Sequence, residues 1–213
     1  MKHRYLGNMS YRRWLLNSSL KSCENLFGKN KLILDIGGNK NIGKKGYIYN
    51  HKNYICLNIS KEANPDVIGS AFNLPFKDST FDVVISTEVF EHLEYPFITA
   101  NEVYRVLKKD GVFIGSAPFL FPIHGDPDDH FRFTNSSLKL FFKKFRVVKI
   151  NSLGGYLGVF GLFLEQSLKY FDNKRIIRFL LRKLSVVLCN MDYANNFKGS
   201  DFMTTGWFWI CQK

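Results

Sequence analysis

Short apolar runs alternate with helical patterns along most of the chain, and this rhythm predicts the architecture. Residues 31–36 (KLILDI) read as a buried strand that ends on an acid and two glycines, and 54–59 (YICLNI) as a second strand. Residues 66–69 form a short third, 81–86 (FDVVIS) a fourth, 112–116 a fifth, 145–150 a sixth and 205–211 (TGWFWIC) the last. Between them the pattern predicts helices over 9–27, 96–108 and 134–144. Pro96 suits the first turn of the second helix, Asp110-Gly111 are placed to close it, and Thr134 is placed to cap the third. Short apolar strands alternating with helices mean a parallel sheet covered on both faces, an α/β fold. In such sheets ligands sit beyond the carboxyl ends of the strands, so chemistry is to be sought just after each strand.

One stretch breaks the rhythm. Residues 153–198 are long, helical and inserted before the last strand. On a helical projection, 174–188 place Lys174, Arg175, Arg178 and Arg182 on one arc and Ile176, Ile177, Leu180, Leu184 and Val187 on the other. Three uses fit that pattern: a surface helix covering the core, a partner-helix contact, or a basic amphipathic helix on an anionic membrane face or lipid-linked substrate.

Composition narrows the choice. With 213 residues, 46% of them hydrophobic and 23% charged, the chain can bury a real core and is not a disordered segment. Its length suits a single domain: a helical extension over 1–30, a core over 31–152, a helical insertion or lid over 153–198 and a final strand over 199–213. The four cysteines, Cys23, Cys56, Cys189 and Cys211, form no CxxC pair, which argues against a zinc ribbon or a disulfide framework. No signal-peptide pattern opens the sequence, and its longest uncharged stretches, such as 150–164, are too short to span a bilayer. The expected location is cytoplasmic, with 174–188 as a candidate contact to the inner membrane face.

The formal charge of +12 points to an anionic partner, and its distribution says where. Residues 1–30 hold six cations and one anion, and 139–198 hold twelve and three, whereas the remaining residues carry slightly more acid than base. The basicity therefore belongs to the extension and the insertion. It bears on a substrate or on a surface, phosphate-bearing or lipid-linked.

Beyond the first strand, Asp35 and Gly37-Gly38 begin a nucleotide-binding turn, where glycines let the backbone approach a ligand. Taken with Asn58, IGSAFNLPF (68–76), FDVVISTEVFEHL (81–93) and ANEVYRVLKKDG (100–111), the run over 31–117 resembles the class I S-adenosylmethionine-dependent methyltransferases. The nearest group is that related to the ubiquinone-biosynthesis methyltransferases, type 11-like. The resemblance implies a Rossmann-like, doubly wound, seven-stranded sheet, mostly parallel, whose last strand, TGWFWICQK, is antiparallel. It also implies that Asp35, Gly37 and Gly38 underlie the methionine part of the cofactor. Asn58 stands at the ribose-binding acid, Ser70 at the adenine-binding Asp with Ala71 and Phe72 beside the ring, and Ser86 and Thr87 close the site. Asn39 and Asn41 stand where the family prefers Gly, and Asn39 is expected to substitute through its tolerance of positive φ. Asn58 and Ser70 replace acids, which weakens the expected cofactor bonds.

Two constellations lie on the acceptor side. If its turn is helical, Glu88-x-x-Glu91-His92 puts three ligands on one face, as a hard divalent ion needs. ExxEH here resembles the magnesium-site motif of the ubiquinone O-methyltransferases and of the small-RNA 2′-O-methyltransferases, which implies Mg²⁺ as a second cofactor; a structural polar role is the alternative. The second is FPIHGDPDDHFRF (121–133), with His124, Asp126, Asp128, Asp129, His130 and Arg132. His124 or His130 is a candidate general base, with Asp128 to orient it, and His124 a candidate to complete the ion site. A rigid turn with the Asp residues bonding backbone is the structural alternative. This loop resembles one in methyltransferases of bacterial cell-surface polysaccharide synthesis. Phe119, Phe121, Phe131, Tyr156, Phe160 and Phe163 are candidates to wall an acceptor pocket. The expected function is O-methylation of a glycan, glycolipid or similar small hydroxyl acceptor. The alternatives are a non-catalytic protein on the same fold, or an RNA methyltransferase, against which stands the lack of a recognisable RNA-binding module.

Overall fold

The computed structural model describes residues 4–42, 51–125 and 128–213. Its elements run in order α1 (Tyr11–Ser22), β1 (Ile33–Ile36), β2 (Tyr54–Asn58), β3 (Val67–Ile68), β4 (Phe81–Thr87), α2 (Pro96–Val106), β5 (Leu107–Pro118), α3 (Asn135–Phe141), β6 (Val147–Ser152), α4 (Tyr156–Ser167), α5 (Arg175–Ala194) and β7 (Gly206–Gln212). The seven strands make one sheet in the order β3-β2-β1-β4-β5-β7-β6. β1 pairs in parallel with β2 and β4, as does β4 with β5 and β2 with β3. β7 runs antiparallel to β5, since Gly111 bonds Lys213 while Phe119 bonds Thr205. It also runs antiparallel to β6, since Arg146 bonds Gln212 and Leu153 bonds Gly206. The strand order reverses between β1 and β4, and the crevice at their carboxyl ends is where a cofactor belongs.

The described chain forms two compact units. One holds the sheet core, 20–117, 123–150 and 208–213, and the other 4–19, 118–122 and 151–207. The first part of the extension, through Ser19, and the insertion thus build one body. In the core unit every residue of β1 is buried, which its unbroken ILDI run requires of a central strand. Beside β5 and β7, Phe90, Phe113, Phe142, Phe145 and Trp209 form an aromatic cluster with ring centroids 5.2–6.1 Å apart. Thr134 caps α3 as its sequence predicts, accepting from the Ser137 amide at 3.1 Å.

α2 stops two residues short of the predicted end. Leu107 is fully buried and pairs with Phe81, so it opens β5, and Asp110 and Gly111 lie inside that strand at a register shift rather than at a helix cap.

In the helical unit, α5 packs against α4 through its small and polar residues. Ser185, Cys189 and Asp192 are buried; Ser185 Oγ donates to the Gly161 carbonyl at 2.7 Å, and Asp192 Oδ2 accepts from Gly155 N at 2.9 Å and Tyr11 Oη at 3.0 Å. Glycines make this approach possible: a Cβ at Gly161 would stand 2.5 Å from Cys189 Sγ. The consequence reverses the expected covering helix, because Ile176, Ile177, Leu180, Leu184 and Val187 are all exposed. Arg182 is also tied down, donating to the Gly7 carbonyl at 2.7 Å. Among the described residues no helix is long and apolar enough to cross a membrane.

Candidate active site

At the carboxyl end of β1 the chain turns on glycine. Gly37 adopts φ +78°, and a Cβ on Gly38 would stand 2.5 Å from the Asp35 carboxylate and 2.8 Å from Cys56 Sγ. Asp35 is 7% exposed; burial raises its pKa to about 6, against the opposing effect of a 2.6 Å bond from Tyr54 Oη. A side-chain-free turn beside a buried acid fits the cationic methionine end of S-adenosylmethionine.

The other expected cofactor residues have partners of their own. Asn58 donates through Nδ2 to the Gly38 carbonyl at 2.8 Å and accepts the Ser60 amide at 2.9 Å, so its side chain braces the glycine turn. Ser70 Oγ accepts the Phe72 amide at 3.1 Å, fixing the bend that carries Ala71, and the Phe72 ring meets Tyr95 edge-on at 5.8 Å. At the end of β4, Thr87 is half-buried, and the Ser86 hydroxyl is fully buried with no hydrogen-bond partner among the described residues. Asn39 does not adopt positive φ; its side-chain oxygen accepts the Asn41 amide at 2.9 Å, an Asx bend at the 3-10 turn Lys40–Ile42.

On the acceptor side the expected helical face does not form. Glu88 bends the chain at φ +57° and accepts a 2.5 Å bond from Ser116 Oγ, and only Phe90–His92 make a short 3-10 turn. Glu91 and His92 are instead joined by His124. Oε1 of the fully buried Glu91 lies 3.7 Å from His92 Nε2 and 3.8 Å from His124 Nε2, and the imidazoles stand nearly perpendicular with centroids 5.2 Å apart.

The loop that delivers His124 is sewn to this turn. His130 N donates to the Glu91 carbonyl at 2.8 Å, and His92 Nδ1 bonds the Asp128 carbonyl. The carboxylate beside His124 is Asp129, where Asp128 was expected. Asp129 accepts the His124 amide at 2.9 Å and lies 3.5 Å from its Nδ1, and its other contacts are a forked pair with Arg132. That guanidinium, together with the His124 amide, holds the Asp129 carboxyl well below the usual carboxylate range despite desolvation. The side chains of Asp128 and His130 are exposed, and Asp126 lies outside the described residues. Asp129 carries one sequence signal, an arginine three positions on. Tyr54, which holds Asp35, carries none, because strand pairing alone brings it there.

Glu91, His92 and His124 offer one ligand atom each within 4.8 Å. One carboxylate with two imidazoles suits a first-row transition ion or Zn²⁺ better than Mg²⁺, which prefers an all-oxygen shell. The separations of 3.7 and 3.8 Å are near the roughly 3.4 Å between two corners of a tetrahedral zinc site.

Residues 34–115 match the family model of the methyltransferase domain. An uncharacterized protein of Methanocaldococcus jannaschii is 38% identical over 63 residues, and the match spans 28% of either chain. Among solved structures, a SAM-dependent methyltransferase from Archaeoglobus fulgidus aligns over 94% of both chains at 18% identity and TM-score 0.59. Another from Thermotoga maritima covers 97% of this chain and 91% of its own at 15% identity and TM-score 0.54. The [4+2]-cyclase SpnF covers 100% and 87% at 13% identity and TM-score 0.56. With the strand order, the glycine turn and the acid beside it, these matches make residues 34–115 a methyltransferase domain of the class I, S-adenosylmethionine-dependent fold.

Proposed function

We propose that this chain transfers a methyl group from S-adenosylmethionine to a hydroxyl oxygen of a small acceptor, a glycan or glycolipid of bacterial cell-surface polysaccharide synthesis. The observation that carries the reading is the imidazole of His124 held between the buried Glu91 and the ionised Asp129. Asp129 on the Nδ1 side favours the tautomer with its proton there, which leaves the Nε2 lone pair to accept a proton. The acceptor oxygen gains the methyl carbon as the carbon–sulfur bond breaks, its proton passes to Nε2 of His124, and S-adenosylhomocysteine leaves. Glu91, His92 and His124 would hold a divalent ion only with the His124 Nε2 lone pair committed to it, in which case the ion would supply Lewis acidity toward the hydroxyl in place of the imidazole base.

A second reading, the same fold without methyl transfer, draws support from Asn58, whose amide already serves the protein backbone. The fold itself does not choose, since a cyclase shares it. Mass spectrometry of surface glycans from a deletion strain separates the two. Methyl transfer predicts a loss of about 14 mass units, one CH₂, from a defined residue, restored by the wild-type gene and not by His124→Ala. Unchanged glycans contradict the glycan assignment, and full restoration by His124→Ala contradicts the role of the imidazole.

A further inference from the structure

We propose that the outward face of α5 docks the helical unit onto an anionic phospholipid bilayer, lying in its surface without crossing it. α5 spends its small polar residues on α4, so its large apolar ones are left outside. Ile176 is 76% exposed, Leu180 58%, Leu184 48% and Val187 52%. At 100° per residue these four fall within one 80° arc, opposite the buried Ser185, Cys189 and Asp192. Twenty residues make this face about 30 Å long.

The arc continues into a groove of about 860 Å³, with Val187 and Met191 common to both and Arg4 at its rim. Charge selects the occupant. Lys183 borders the arc and stacks over the Phe179 ring at 4.4 Å, and Lys174 and Arg175 stand at the start of the helix, where Arg178 is already paired with Asp172 at 3.1 Å. The only acid on α5, Asp192, is buried on the opposite side. A second copy of this face would bring the two copies of Lys183 together, whereas an anionic headgroup layer neutralises Lys183 and the cations at the helix start while the apolar arc enters the acyl boundary. The inference is independent of the reading of the methyl-transfer site, and its test needs no cofactor.

The test is co-sedimentation of the full chain with vesicles of phosphatidylglycerol and phosphatidylcholine, and with phosphatidylcholine alone. The anionic vesicles are expected to bind the protein, more weakly as salt rises. Lys174→Gln with Arg175→Gln lowers partitioning about fivefold per charge removed. Leu180→Asp with Leu184→Asp abolishes binding while leaving the circular dichroism spectrum and melting temperature unchanged, because both side chains are exposed. Absence of binding, equal binding to both vesicle types, or a dimer in solution that the double Asp variant dissociates would overturn the proposal.

Discussion

Asp35 sets the pH behaviour of the cofactor crevice. Its carboxyl is buried and titrates near 6 in the folded chain, above its ordinary 3.8. A raised acid pKa stabilises the fold only where the native state holds the extra proton. That contribution is present below pH 4 and lost as pH rises through 6, a change of about 2–3 kcal/mol. A cationic ligand beside it has the opposite dependence, since it favours the ionised form. The affinity for S-adenosylmethionine should therefore fall by up to about tenfold per unit as pH drops below 6. Titrations between pH 5 and 8 check this, and in Asp35→Asn the dependence should flatten. Gly37 and Asp35 were legible in the sequence because strand–acid–glycine is a local pattern. His124 beside Glu91, and Asp129 in place of Asp128, were less so. The sequence spacing presumes a helical turn at Glu88, and the left-handed bend there turns its side chain to Ser116 instead.

At the scale of elements, periodicity located nearly every strand and helix, and its errors have physical causes. The α2 pattern reads through Leu107 because a buried leucine satisfies helix and strand alike, and only its pairing with Phe81 decides. For α5, periodicity finds the apolar arc and assumes that it faces inward. Gly158 and Gly161 on α4 reverse that by letting the polar side of α5 approach closely, a Cβ at Gly161 meeting Cys189 Sγ at 2.5 Å. Gly161→Leu should force the helices apart at a cost of about 1–3 kcal/mol. Chemical denaturation of the full chain should register this as a lower midpoint, whereas Phe160→Leu, on an exposed position of α4, should leave the midpoint nearly unchanged.

At the scale of the whole molecule, the charge surplus is shared, net +7 in the sequence of the helical unit and +5 in that of the sheet core, whereas the candidate chemistry is not. The sheet core carries the glycine turn, the buried acid and the histidine pair, and it holds residues 34–115, which match the family model. The second unit gathers the basic extension and insertion, segments far apart in sequence, through bonds such as Tyr5 N to Asn190 Oδ1 at 3.1 Å and Tyr11 Oη to Asp192. Their union was not legible, because each bond spans more than 180 residues and leaves no periodic trace.

The central claim is that the Gly37-Gly38 turn still receives S-adenosylmethionine although Asn58 and Ser70 replace acids. Isothermal calorimetry of the purified full chain at pH 7.5 tests it most directly. The account predicts one site per chain with a dissociation constant on the order of 10–100 µM, binding S-adenosylhomocysteine as well and weakened about tenfold in Asp35→Asn. No heat of binding with either ligand at millimolar concentration would contradict it.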